Sequence, residues 1–203
     1  MWVVKIGGSL MSAPELKYWL DIFVKFSDGQ IIIVPGGGVF ADAVREAQQL
    51  TGVSDAMAHQ LAVKAMDQYG LLLTALNPKL AIASSELEIA ERTWQHRAIL
   101  WLPSQMVLAD DDIPQNWAMS SDSLAAWLAH KLDAKQLVLL KSTKPQNGTL
   151  NKLIADGIVD GCFADFSKNQ SFSSWILAKD DYVHFADGLN MDKLNQIGIN
   201  IEA

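Results

Sequence analysis

The chain has 203 residues, half of them hydrophobic and 19% charged, with a formal net charge of −7. At roughly 150 residues per domain this length favours one compact domain, and the composition excludes a largely disordered chain, a peptide hormone and a large multidomain machine. The acidic balance argues against a general nucleic-acid or anionic-membrane surface, so an anionic ligand has to be caught by a local pocket.

The first element is the apolar run Trp2 to Ile6, read as a strand. It ends in Lys5-Ile6-Gly7-Gly8-Ser9, which puts a lysine and two glycines where a signal peptide needs an unbroken apolar stretch. A second strand, Ile31 to Pro35, runs through Gly36-Gly37-Gly38 into an amphipathic helix with Phe40, Ala43, Val44, Ala47 and Leu50 on one side. Asp42, Arg45, Glu46 and Gln49 lie on the other side. A long helix is predicted from Asp55 to Leu76, a strand from Ala98 to Leu102, a helix from Ser121 to Leu132 and a strand from Gln136 to Lys141. Tyr182 to Ala186 and Ile197 to Ile201 are read as two further strands, in a region after Leu150 where the pattern is weakest.

Pro, Asn and Gly mark loops at Asn77-Pro78, Asp110 to Pro114 and Thr143 to Gly148. The alternation of strands with helices predicts an α/β fold with a mainly parallel sheet, and the continuously apolar strands predict cover on both of its faces. None of the runs approaches the roughly 18 apolar residues of a membrane-spanning helix. Cys162, the only cysteine, rules out an intrachain disulfide and a thiolate metal cluster built from this chain alone. A reducing, cytoplasmic setting without membrane or nucleic-acid partners is the expectation. Seven tryptophans without repeat spacing are read as core and interface filling, with room for a homo-oligomer.

Chemistry concentrates at the strand ends, because ligands of open α/β sheets sit beyond the carboxyl ends of the strands. Lys5 meets a ligand there, Gly7 and Gly8 let the backbone approach a phosphate, and Ser9 can donate or cap. A plain turn with a snorkelling lysine explains that pentapeptide equally well. Gly36, Gly37 and Gly38 at a helix amino terminus form a stronger anion signal, since several unpaired N–H groups meet the positive end of the helix dipole.

Gly36-x-Gly38-x-x-Ala41 also fits a dinucleotide fingerprint, but the acidic residue that fingerprint needs would fall in a predicted helix. No Walker A loop occurs. Ser120, Ser121 and Asp122 taken alone read as an ordinary helix start. The strand ending in Lys141-Ser142 delivers a second lysine to the same sheet edge as Lys5. Arg45 and His59 are the weaker candidates: a solvated charge and a half-buried histidine compete with roles in binding an acceptor. His96, His130 and His184 have no ligand-like spacing, so no protein metal site is expected.

Lys5-x-Gly-Gly-Ser, then Pro35-Gly36-Gly37-Gly38, then Ser121-Asp122-Ser123, then Leu139-Leu140-Lys141-Ser142, in that order, resemble the amino acid kinase family, over about residues 2 to 150. Ala58-His59-x-x-Ala62-x-x-Ala65-Met66-Asp67-Gln68-Tyr69-Gly70 is most similar to the small branch that phosphorylates an aminomethylfuran-methyl phosphate in methanofuran biosynthesis. The resemblance implies a three-layer α/β/α sandwich of carbamate kinase type, a kinase using ATP and Mg²⁺, and an anionic small-molecule acceptor. It implies an acceptor half over about residues 1–133 and a nucleotide half over about 134–203. Lys5 would contact the transferring phosphate, and Gly7, Gly8, Gly37 and Gly38 would donate N–H groups to it or to the acceptor. Asp122 would orient the lysines, and Ser142, Asn147 and Gly148 would meet the nucleotide. The late Gly-Gly-Met motif and its lysine are absent, which makes Lys141 the candidate for the missing charge. A catalytically silent nucleotide-binding protein and a dinucleotide-dependent oxidoreductase are the competing readings.

Overall fold

In the computed structural model, which describes residues 1–202, the apolar runs become strands buried on both faces. In chain order the elements are β1 (Trp2–Ile6), a 3₁₀ turn (Gly8–Ser12), α1 (Glu15–Phe26), β2 (Ile31–Pro35), α2 (Gly38–Thr51), α3 (Asp55–Leu76), β3 (Ala81–Ala83), α4 (Glu86–Trp94), β4 (Ile99–Trp101), α5 (Ser104–Val107), α6 (Ser121–Lys131) and β5 (Gln136–Lys141). The remainder comprises α7 (Leu150–Ala155), α8 (Phe163–Ser167), β6 (Ser173–Ala178), a 3₁₀ turn (Lys179–Asp181), α9 (Tyr182–Phe185), α10 (Met191–Ile197) and β7 (Ile199–Asn200).

The seven strands lie in the order β3-β4-β2-β1-β5-β6-β7, parallel throughout except that β7 runs antiparallel to β6. One hydrophobic cluster joins Val3, Ile32, Val34, Leu137 and Leu139 to α6 and to Val63 and Met66 of α3. The other joins Val4, Ile6, Ile33, Val138 and Leu140 to α1, Tyr69 and Leu73. Alternate residues of each strand feed opposite clusters, so the sheet is the middle of three α/β/α layers. From β1 the chain moves outward through β2 to the edge strand β3, sets β4 between β3 and β2, then returns to place β5 on the other side of β1. The order therefore reverses between β1 and β5, where the crevice of such a sheet opens.

Two expectations fail after residue 150. Tyr182 to Ala186 is not a strand but the single helical turn α9, in which Phe185 is buried while Val183 and His184 are exposed. Tyr182 stacks on Tyr18 at 4.8 Å, a contact outside any sheet. The sixth strand is Ser173–Ala178 instead, fully paired with β5. The run at Ile197 to Ile201 shortens to β7, because α10 extends to Ile197. Among the described residues no helix is long and apolar enough to cross a membrane.

Candidate active site

Strand register explains why two lysines separated by most of the chain meet. Lys5 lies opposite Leu139 in the β1–β5 ladder, and Lys141 follows Leu139 by two residues, so both lysines project from the same face. That face is covered by α6, whose first turn carries Asp122. Lys5 Nζ lies 2.7 Å from Asp122 Oδ1, and Lys141 Nζ donates to Asp122 Oδ2 at 2.6 Å. One carboxylate thus holds two ammonium groups, one on each oxygen.

The centre is almost dry, with side-chain exposures of 7% for Lys5, 5% for Asp122 and 17% for Lys141. Burial alone would raise the Asp122 carboxyl; the charges of Lys5 and Lys141 outweigh it and hold Asp122 down at about 2. Burial and then repulsion from Lys5 lower the Lys141 ammonium, against the opposing pull of Asp122 and Asp160.

The glycine loops divide the work. Gly7 N–H goes to Leu140 O at 3.0 Å and Gly36 N–H to Ile6 O at 2.9 Å, so these two extend the ladder and do not donate to a ligand. That corrects the expectation that every glycine faces the anion. Among the described residues no backbone carbonyl elsewhere in the fold takes the N–H of Gly8, Gly37 or Gly38, and all three line a cavity of about 470 Å³. The loops pack backbone to backbone: a Cβ on Gly8 would lie 2.7 Å from Gly38 Cα, and one on Gly36 would lie 2.7 Å from Gly8 N. Gly38 also has φ +54°, in the left-handed region that favours glycine.

Ser9, Arg45 and His59 line the same cavity. Arg45 bonds Asp42 at 2.8 Å and stacks 4.6 Å from the Trp117 ring, which itself donates to Gln48 Oε1 at 2.7 Å. His59 is 3% exposed, neither ring nitrogen has a hydrogen-bond partner among the described residues, and burial lowers its pKa. Val63, Met66, Met119 and Leu124 make the rest of the wall largely apolar. Lys5, Asp122 and Lys141 do not themselves line the cavity; Asp122 falls in sequence between the wall residues Ser121 and Leu124, in the first turn of α6.

Ser142, Asn147 and Gly148 do not join this constellation. Ser142 is half-buried beyond β5 and Asn147 is exposed. Gly148 is required by packing, since a Cβ there would run into the Asn200 carbonyl, and its own carbonyl accepts from Glu202 N at 2.8 Å.

Three residues of the site were missed in the sequence. Trp117 was read as filling, Ile158 takes Lys141 Nζ on its carbonyl at 2.6 Å, and Asp160 binds the start of α6. No local signal marks Asp160, whose partners lie 37 to 40 residues earlier.

The model of the amino acid kinase family matches residues 1–144. A relative, the (5-(aminomethyl)furan-3-yl)methyl phosphate kinase of Methanocaldococcus jannaschii, is 31% identical over 140 residues, which is 68% of this chain and 64% of that protein. The match thus spans less than two thirds of that relative's length. Uridylate kinase from Archaeoglobus fulgidus superposes with a TM-score of 0.68 at 15% identity, over 93% of this chain and 96% of that one. UMP kinase from Ureaplasma parvum superposes with a TM-score of 0.69 at 12% identity, over 100% and 98% of the two chains. These two likenesses establish the shared fold.

Proposed function

The chain belongs to the amino acid kinase family, and from that premise we propose that it transfers the γ-phosphoryl group of ATP to a small anionic acceptor. The observation that carries the reading is the Lys5–Asp122–Lys141 centre together with the glycine-lined cavity. Phosphoryl transfer passes through a loose, charge-rich transition state, so it asks for positioned positive charge rather than a covalent nucleophile. Two ammonium groups fixed on one carboxylate supply that charge without rearranging during the reaction.

The acceptor occupies the cavity, its phosphate against the N–H groups of Gly8, Gly37 and Gly38, its body against the apolar wall, with Arg45 and His59 at the periphery. The nucleotide approaches from the side of Lys141, the more exposed of the two lysines. Asp122 already engages both lysines, and no group of three metal-ligating side chains occurs among the described residues. Mg²⁺ would be carried on the nucleotide phosphates, where it would neutralise part of their charge. A phosphorylated acceptor is ionised at neutral pH and needs no general base.

The relative's name points to (5-(aminomethyl)furan-3-yl)methyl phosphate as the acceptor, with the diphosphate and ADP as products. Incubating the protein with MgATP and that monophosphate tests this: ADP and a diphosphate seen by ³¹P NMR are expected. Absence of ADP with this acceptor refutes the acceptor assignment. ATP binding without turnover on any anionic acceptor favours a silent nucleotide-binding protein.

A further inference from the structure

The start of α6 is held by a residue far away in sequence. Ser120 is its cap residue, yet its hydroxyl accepts from Asp122 N only at 3.4 Å. The carboxylate of Asp160 does more: it accepts from Ser120 N at 3.1 Å, Ser120 Oγ at 2.5 Å, Ser123 N at 3.1 Å and the Ser123 hydroxyl. A carboxylate taking four donors at a helix amino terminus is a charge-assisted clamp, stronger than a hydroxyl cap and favoured by the helix dipole.

Asp122 lies inside the clamped turn, between Ser120 and Ser123. Two residues before Asp160, the Ile158 carbonyl receives Lys141 Nζ at 2.6 Å, while the same nitrogen bonds Asp122 at 2.6 Å. The stretch 158–160 therefore holds Lys141 directly and Asp122 through the turn that carries it. Neither β5 nor α6 holds that pair in register from within its own sequence.

We propose that Asp160 is a positioning residue of the phosphoryl-transfer centre: it fixes the turn that carries Asp122 and, through that carboxylate, the ammonium groups of Lys5 and Lys141. Its effect on turnover rests on the kinase reading, whereas its hold on Lys141 does not. The groups facing Lys141 are Lys5 from β1, Asp122 from α6 and Asp160 from the loop after α7. Burial and Lys5 lower the Lys141 ammonium, and both carboxylates oppose them. Removing the Asp160 charge therefore shifts Lys141 deprotonation to lower pH, which loss of a purely structural helix cap does not do.

The experiment compares the full chain with Asp160→Asn and Ser123→Ala. The Lys141 Cε resonance is titrated by NMR, assigned through Lys141→Arg, and turnover is measured with saturating MgATP and acceptor. Asp160→Asn is expected to move the Lys141 titration to lower pH and to lower kcat roughly 10- to 100-fold, with acceptor KM nearly unchanged. Ser123→Ala, which removes one donor and no charge, is expected to lower kcat by less than about 10-fold and to leave the titration in place.

A wild-type Lys141 titration in Asp160→Asn, or an undiminished kcat, overturns the proposal. Should Asp160→Asn fail to fold, the same titration and assay are made on Asp160→Ser: a wild-type Lys141 titration or an undiminished kcat overturns the proposal, and a titration at lower pH with reduced kcat supports it. If the unmodified protein turns over no acceptor, the kinase reading fails, and the Lys141 titration still decides whether Asp160 governs that lysine.

Discussion

Replacing Asp122 with asparagine removes the charge that holds two buried ammonium groups together. At an effective dielectric of about 20, a unit charge pair at the observed 2.7 Å is worth about 6 kcal/mol before desolvation, and Asp122 makes two such contacts. Desolvation of three groups and repulsion between the lysines oppose that gain. The measurable quantity is therefore the cost of leaving buried charge unpaired, about 3–5 kcal/mol. For a chain of 203 residues this lowers Tm by roughly 6–20 °C, at 2–4 °C per kcal/mol. Urea unfolding at pH 7 gives the free energy directly.

The pH dependence supplies a second check. The Asp122 carboxyl is held down at about 2, below the ordinary aspartate range, so its contribution is present above the unfolded value and is lost as pH falls through the folded one. Asp122→Asn should remove that part of the acid sensitivity and lower kcat at least about 100-fold. A variant within about 1 kcal/mol of the parent with near-normal turnover would refute the idea that Asp122 organises the lysines.

The two lysines should each be indispensable: Lys5→Ala and Lys141→Ala are expected to lower kcat roughly 100-fold or more in a coupled ADP assay, and a near-normal rate in either excludes that residue from the centre. Gly8→Ala pushes a methyl to within 2.7 Å of Gly38 Cα, so a loss of about 1–3 kcal/mol in thermal unfolding and a raised acceptor KM are expected; unaltered values would show that the loops are not packed as described. His59→Leu buries no orphan nitrogen, so stability should stay within about 1 kcal/mol of the parent or rise while acceptor KM increases about 10-fold. A destabilised variant with unchanged KM would make His59 a structural residue.

Much of the site was readable before the fold because its backbone restricts which residues can stand there. Gly8 and Gly36 sit where two loops touch without room for a Cβ, and Gly38 adopts a positive φ, so the glycine strings are imposed by geometry that shows in the sequence. Lys5 and Lys141 were readable because a polar group ending an apolar strand is conspicuous. The region after residue 150 was not readable: Tyr182 to Ala186 has the aromatic and β-branched content of a strand, yet its one buried anchor, Phe185, suits a helical turn. The true strand opens with Ser173 and Ser174, which blur its apolar run.

Local residue choice was enough to place the glycine loops and two lysines at the ends of parallel strands, since turns, caps and strand periodicity act over a few residues. The pairing of Asp122 with both lysines, and the grip of Asp160 on four donors, came from the packed fold. Such charge partners are selected by mutual burial across sheet and helix, and a buried charge takes whichever counter-charge the topology brings within reach, whatever their separation along the chain.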